Sequence, residues 1–310
     1  MEIIRSIEEL NIEGKTAIAL GKFDGIHIGH VKLLNEILKK KAQGYKALVF
    51  TFDTSATSFF TGKSIKEVTT IEEKEYIFEK MGVDILFEYP LNSKTASISP
   101  EDFIFRILVE KLKMQYIVAG SDVSFGSKGA GDAKLLAQMA KVYGYELEII
   151  DKLLYEGREV SSTFVREEIE KGNMRLVSKL LGHPYYFAGI VSKGKQLGRT
   201  IGMPTMNQYP DEKKILPPYG VYYSRVCCQN KWYNSITNIG MRPTVSNENH
   251  ISVETYLYDF DGDMYGENIV TQVLEFKRPE MKFNGLEELK AQMAKDIEEG
   301  AIFHATYNND

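Results

Sequence analysis

The chain has 310 residues, 43% of them hydrophobic and 26% charged, with a net charge of −5. That is room for two ordinary domains with real cores. The mildly acidic balance, with both signs interspersed, argues against a general nucleic-acid binder, which carries a basic face.

The opening MEIIRSIEEL has no basic stretch followed by a long apolar one, so no secretory leader is expected. The first half then alternates. Apolar strand-like runs stand at 16–20, 45–52, 83–87, 115–119 and 145–150, with helical patterns at 30–42, 72–81, 99–113 and 132–143 between them. The third helical stretch has a clear start: Ser99 as N-cap, Pro100 in the first helical position, then Glu101 and Asp102. Strands alternating with helices of this length predict an α/β domain with a parallel sheet covered on both faces.

The segment GKFDGIHIGH, from Gly21 to His30, falls where the first strand should turn into the first helix. Parallel sheets bind ligands at the carboxyl ends of their strands. A helix N-terminus offers free N–H groups to phosphate, and imidazoles can add donors. Two histidines three apart could instead begin a metal site, although no third ligand stands nearby, or simply decorate a helix-capping loop. Later, VSSTFVREEIEKGN offers Ser161, Ser162 and Thr163 as caps of a short helix that carries Arg166. Hydroxyls, helix N–H groups and a guanidinium together suit a phosphate; an ordinary cap with a solvated arginine fits equally.

Found together, the two segments resemble the HxGH and SSTxxR signatures of the nucleotidyltransferase superfamily. GKFDGIHIGH resembles more narrowly the FMN adenylyltransferase (FAD synthetase) module. The resemblance implies a Rossmann-like domain over 1–182. In it Gly21, Phe23, Asp24, Gly25, Ser162 and Thr163 would bind ATP, and His27, His30 and Arg166 would hold its phosphates during reaction. The loop GSDVSFGSKGAGD is similar to a family segment that lines the flavin, which implies Asp122, Phe125 and Gly126 on the flavin side. Three departures stand out. TFDTSATSFF lacks the family's Pro-His-Pro, Phe164 stands where arginine is common, and Val123 replaces an aromatic residue.

The second half changes character after RLVSKLLGHP. Strand-like segments at 185–192, 219–228, 231–239, 251–260 and 268–276 follow one another without long helices, and GLEELKAQMAKDIEEGAIF reads as a last helix. That pattern predicts a small antiparallel barrel or sandwich. Cys227 and Cys228 are neighbours in one strand-like run, so they would point to opposite faces and neither a disulfide framework nor a thiolate metal site is available. No apolar run anywhere approaches the roughly 20 residues that span a bilayer.

In GRTIGMPTMN, Thr205 and Asn207 stand two apart, so on an extended strand their oxygens share a face. Such oxygens suit Mg²⁺, and an ordinary turn and edge strand would also fit. Glu254 stands among β-branched and aromatic neighbours, as a carboxylate with a task or as the solvent face of an alternating strand. GRTIGMPTMN, PPYGVYY, NIGMRPTV, SVETYLYDFDGDMYG and EFKRPEMKF, in this order, resemble the riboflavin kinase module over 183–310. This resemblance implies a flavokinase-like β-barrel with a C-terminal helix. Thr205 and Asn207 would hold Mg²⁺ with ATP, Gly198 and Gly202 would approach the nucleotide, Glu254 would be the general base, and Arg278 would bind near flavin.

The two resemblances run in the order of the bacterial bifunctional riboflavin kinase/FMN adenylyltransferase family. The expectation is a cytoplasmic enzyme with ATP, riboflavin and FMN as substrates, a monomer or weak homo-oligomer, without nucleic-acid or membrane partners. Three rivals remain: a paralogue with one of the two activities, a non-catalytic flavin sensor, and a cytidylyltransferase in the first half.

Overall fold

The computed structural model describes every residue except 9, 55, 64, 194–197, 199–201, 244–248 and 308–310. The chain forms two compact units, Met1–Ser162 and Thr163–Asp310.

The first unit is built on a six-stranded sheet. Its strands are β1 (Glu2–Ile4), β2 (Thr16–Leu20), β3 (Lys46–Phe52), β4 (Ile85–Tyr89), β5 (Met114–Gly120) and β6 (Glu146–Ile150). They lie in the order β1-β4-β3-β2-β5-β6, parallel throughout. β2 is central and wholly buried. Ile18 and Leu20 enter the core on one face, with Phe50, Phe87 and Phe103. Ala17 and Ala19 enter the core on the other, with Leu34, Ile37 and Phe78. A strand buried on both faces has no polar side to alternate with, so it reads as a continuous apolar run.

Helices α1 (Ile28–Lys40), α2 (Ala56–Thr61), α3 (Ile71–Met81), α4 (Pro100–Asp102) and α5 (Ala133–Tyr143) fill the connections. α4 runs on into a wider, π-type helix at Phe103–Lys111. Its cap is the expected one: the Ser99 hydroxyl accepts the Asp102 N–H at 3.1 Å. α3 starts with a reciprocal capping box between Thr70 and Glu73, which satisfies two backbone donors at once. A short hairpin, β7 (Leu154–Tyr155) and β8 (Arg158–Glu159), leads to α6 (Ser162–Glu170). The first unit ends at the first residue of α6.

The second unit holds the rest of α6, α7 (Met174–Leu181) and a closed antiparallel barrel. The barrel strands are β9 (Tyr185–Ser192), β10 (Thr205–Gln208), β11 (Gly220–Cys228), β12 (Lys231–Pro243), β13 (Asn249–Leu257) and β14 (Asn268–Pro279), ordered β10-β13-β12-β11-β14-β9. β10 pairs with both β13 and β9, which closes the cylinder and removes free edges. Inside it, buried hydroxyls satisfy one another: Ser224 with Ser235 and Thr237, both at 2.7 Å, and Thr237 with Thr255 at 2.9 Å. The C-terminal helix α8 (Leu286–Thr306) packs on β11 and β12. Cys227 and Cys228 are free thiols.

The expected strands and helices are all present to within a few residues. β1, α2, the β7–β8 hairpin and α7 have no counterpart among the elements expected from sequence.

Candidate active sites

The first candidate site lies at the carboxyl end of β2. His27 is the N-cap of α1, and its Nδ1 accepts the His30 N–H at 3.3 Å. With Nδ1 an acceptor, the ring proton sits on Nε2, which is left to donate outward. The two imidazoles stack at 3.7 Å and 17°. Gly29 permits this, because a Cβ there would stand 3.1 Å from the His27 ring. Burial pushes His27 down to about 4 against the pull of the Asp24 carboxylate. Burial pushes His30 well below its usual range too, and His27 and Lys74 act in the same direction. Both rings are therefore neutral donors at neutral pH.

The loop that carries them is strained and held from beneath. Phe23 and Ile26 have φ of 50° and 38°, unfavourable for side chains with a Cβ. Both side chains are buried, and Phe23 packs on His30 at 5.0 Å and on Phe78 at 5.6 Å. The Asp24 carboxylate accepts the backbone N–H groups of Val68 and Thr69 at 2.8 and 3.2 Å, and its carbonyl accepts the Ser162 hydroxyl at 2.7 Å. Gly25 takes φ of 85°, a region where glycine alone is unstrained.

A cleft of about 240 Å³ opens above the loop, lined among others by Gly21, Lys22, His27, His30, Asp122 and Ser162. Lys152 crosses its wall, paired with Asp122 at 3.1 Å and with Glu159 at 2.8 Å. Thus Gly21, His27, His30, Asp122 and Ser162 meet at one cleft. Phe23, Asp24 and Gly25 support that cleft from below. Phe125 and Gly126 do not line it. The Phe125 ring lies in the core, stacked on Phe103 at 5.4 Å, and Gly126 crosses Pro100 so closely that a Cβ would stand 2.7 Å from the Pro100 Cα. Thr163 and Arg166 lie on α6 in the second unit. Of the departures, Val123 lines the cleft and Phe164 is buried. Ser55, in the segment without Pro-His-Pro, lies outside the described residues.

The second candidate site is made by strand register. β10 pairs with β13 so that Asn207 faces Glu254 and Thr205 faces Tyr256; β12 places Asn238 on the other side of Glu254. Asn207 is only 4% exposed, and its Oδ1 has no hydrogen-bond partner among the described residues. A buried orphan carbonyl beside a hydroxyl is the hard-oxygen donor set that Mg²⁺ takes, with phosphate and water completing its shell. The residues fit the ion.

Two clefts meet at Thr205. One, of about 170 Å³, is walled by Glu254, Asn238 and Arg278 and by the apolar Met281, Leu289 and Met293. The other, of about 240 Å³, is lined by Pro204, Thr205, Thr255 and the Asp261–Tyr265 turn. Arg278 is already engaged: its guanidinium grips the buried Asp296 carboxylate on α8, Nη2 to Oδ2 at 2.6 Å and Nε to Oδ2 at 3.1 Å. That guanidinium, with Gln292 and Lys277, holds Asp296 below the usual carboxylate range despite its burial. Gly198 allows a tight turn, with the Met203 N–H donating to its carbonyl at 2.8 Å. Gly202 takes φ of 78°. Residues 199–201 of this motif, and Thr244 and Val245 of NIGMRPTV, lie outside the described residues.

Comparison with known proteins agrees with this division. The FAD synthetase family model matches residues 10–164, and the riboflavin kinase family model matches residues 181–303. A bifunctional riboflavin kinase/FMN adenylyltransferase from Listeria monocytogenes is 35% identical over 291 residues, covering 93% of this chain and 92% of that one. The chain belongs to this bifunctional family. Its Escherichia coli K12 member is 33% identical over 301 residues, 96% of each chain. A crystal structure described as a macrolide-efflux protein from Streptococcus pneumoniae superposes with a TM-score of 0.87 at 26% identity, over 99% of this chain and all of that one. No helix among the described residues here is long and apolar enough to cross a membrane.

Sequence reasoning missed Lys22 and Lys152 at the first cleft, and Asn238 and Asp296 at the second. Lys22 and Asn238 stand inside segments already singled out. Lys152 and Asp296 reach their sites only through the fold.

Proposed function

We propose that the chain works as its family does, one reaction to each module, with the functional division at 182/183. The chain is a bifunctional riboflavin kinase and FMN adenylyltransferase: it phosphorylates riboflavin to FMN with ATP and joins FMN to AMP from a second ATP, releasing pyrophosphate. We read it as a cytoplasmic enzyme acting on small molecules, a monomer or weak homo-oligomer without a nucleic-acid or membrane partner.

In the barrel, Glu254 takes the proton of the ribityl 5′-hydroxyl as that oxygen attacks the γ-phosphate of ATP. Thr205 and Asn207 would hold Mg²⁺, which when bound would neutralise phosphate charge. The wall of Met281, Leu289 and Met293 suits the flat isoalloxazine ring, and Arg278 borders it while bound to Asp296. Gly198 and Gly202 let the backbone come near the nucleotide.

In the N-terminal module no side chain acts as nucleophile. A phosphate oxygen of FMN attacks the α-phosphate of ATP in line. The bond to the bridging oxygen breaks, and pyrophosphate carries away the electron pair. His27 and His30 donate Nε2–H bonds to phosphate oxygens, with Gly21, Ser162, Thr163 and Arg166 as further phosphate and ATP contacts. Phe23, Asp24 and Gly25 shape the loop that presents the histidines. Asp122 lies on the flavin side, with Phe125 and Gly126 fixing its loop. Positioning and charge stabilisation carry the rate.

What supports the reading most is the facing of Glu254 and the orphaned Asn207 across β10 and β13, since a flavin sensor needs neither a base nor a metal site. The experiment is a time course with riboflavin, ATP and Mg²⁺, the flavins separated by chromatography. FMN should rise and then give way to FAD. FMN alone would reduce the chain to a kinase, and no turnover with flavin still bound would make it a sensor.

A further inference from the structure

A single row of strand pairings runs through the barrel cleft. Asn207 pairs with Glu254, Glu254 with Asn238, Asn238 with Val221 and Val221 with Arg278, across β10, β13, β12, β11 and β14. Residues directly opposite on paired strands share a face. Glu254, Asn238, Val221 and Arg278 accordingly line the same cleft of about 170 Å³. From β10 onward the row passes from the metal-suited Asn207 to the carboxylate of Glu254, then to the amide of Asn238. It turns apolar at Val221, in the cleft that Met281, Leu289 and Met293 wall.

The middle of this row has no part in the reading above, and a second polar group stands there. Glu280 lines the same cleft. Gly240 lies two residues after Asn238 on β12, so the two positions share a face. A Cβ on Gly240 would run into Glu280 Oε1 and would stand 3.4 Å from Asn238 Nδ2. The missing side chain is what admits the carboxylate, and amide and carboxylate flank one Cβ position. Neither side chain makes a hydrogen bond or ion pair among the described residues. Asn238 is half-buried, and an amide taken from water without a partner carries a desolvation cost.

We propose that Asn238 and Glu280 recognise the inner hydroxyls of the ribityl chain and so set the specificity of the kinase for a polyol. The amide donates and accepts, the carboxylate accepts, and each hydroxyl does both. Neighbouring strands lie about 4.8 Å apart. A chain whose terminal hydroxyl meets Glu254 therefore brings its next hydroxyls to Asn238 and Glu280, and its ring to Val221 and the apolar wall. The order of chemistry along the row is the order along riboflavin. The inference rests on the kinase reading of this cleft, with Glu254 at its hydroxyl end.

The test compares riboflavin with an analogue whose ribityl chain is replaced by 5-hydroxypentyl. The analogue keeps the ring and the attacking hydroxyl and lacks the hydroxyls between. The full-length chain and the variants Asn238→Ala and Glu280→Ala are assayed with ATP and Mg²⁺. The wild type should prefer riboflavin by about 100-fold or more in kcat/KM, because the analogue leaves the amide and the carboxylate unpaired. Each variant should lose about 10-fold or more of that preference. The loss should come from slower riboflavin turnover, with the analogue phosphorylated within about threefold of the wild-type rate. Glu280→Gln, whose amide can still meet a hydroxyl, should show a preference between those of Glu280→Ala and the wild type. Similar wild-type kcat/KM for the two flavins would overturn the proposal. So would variants that keep the full preference, or that lose both substrates in proportion, the mark of a structural role. If the wild type phosphorylates neither flavin, the kinase reading itself fails.

Discussion

The two modules assemble their chemistry in different ways. In the first, the proposed phosphate donors come from one short loop: Gly21, His27 and His30 fall within ten residues, and the strand before and the helix after fix their directions. In the second, the proposed working side chains lie far apart in sequence and meet by register: Asn207, Asn238 and Glu254 are neighbours because β10, β13 and β12 pair as they do. A loop site is robust to the register of its sheet but depends on backbone strain at Phe23 and Ile26. A register site has unstrained strands but depends on every pairing. A slip of one residue along β10 would send Thr205 and Asn207 to the opposite face.

The sharpest way to break this comparison is to disable one site and read both reactions in one preparation. Glu254→Gln keeps the size and register of the side chain but removes the proposed base. Riboflavin phosphorylation should fall by about 10²- to 10⁴-fold, with FAD formation from supplied FMN unchanged. His27→Ala should do the reverse, lowering FAD formation about 10²- to 10³-fold for a lost phosphate donor. Parallel loss of both activities in either variant would mean that the assignments, or the independence of the modules, are wrong.

The same contrast explains what could be read from sequence. The histidine loop is legible because its parts are adjacent. The strands of the parallel sheet are legible because double burial leaves an unbroken apolar run, as in TAIAL and KALVFTF. The Ser99–Pro100 cap declares itself by residue type alone. β1, three residues long with Ile4 as its one buried side chain, is too short for any periodicity to show. α7 carries a readable pattern, with Met174, Val177 and Leu181 buried at helical spacing, but it falls in the closing stretch of the first half, where no further element is expected. Thr205 and Asn207 can be placed on one face by their spacing; that Glu254 faces Asn207 is a fact of pairing. Lys152 and Asp296 give no signal, because each is an ordinary charged residue on a loop or helix until tertiary packing brings it to a partner.

Acid should separate the modules next. His27 is held neutral by burial with a folded value of about 4, below the usual 6.5. The unfolded chain takes up its proton first as pH falls. Stability from the buried neutral ring is thus complete above about pH 6.5 and is lost progressively down to about pH 4. His30 acts in the same sense. In the barrel, Asp296 is held below 3.8, so its stabilising effect is complete above that value and is lost only as pH falls through the lower folded one. Amide hydrogen exchange should therefore show α1 and β2 losing protection between pH 6.5 and 4 while β14 and α8 keep theirs. His27→Phe, which does not titrate, should flatten the first of these slopes. Equal loss of protection in both modules over that range would show that neither buried histidine governs the acid limb.

The smallest effects come from two glycines, one in each module, both at positive φ for different reasons. Gly126 has φ of 70° and ψ of −173°, a region essentially reserved to glycine. A Cβ there would also stand 2.7 Å from the Pro100 Cα, and that backbone cannot yield without moving the start of α4. Gly126→Ala should cost about 3 kcal/mol, as backbone strain and overpacking add. It should also weaken FAD formation, since the loop that carries Asp122 must shift. Gly202 has φ of 78°, and a Cβ there would meet nothing within 4 Å. Gly202→Ala meets only the left-handed backbone cost of about 1 kcal/mol. If approach to the nucleotide is the reason for glycine there, KM for ATP in riboflavin phosphorylation should rise more than the loss of stability explains. If KM is unchanged, Gly202 serves the turn alone, and nucleotide approach in that loop falls to Gly198, where a Cβ would stand 2.2 Å from the Met203 carbonyl oxygen.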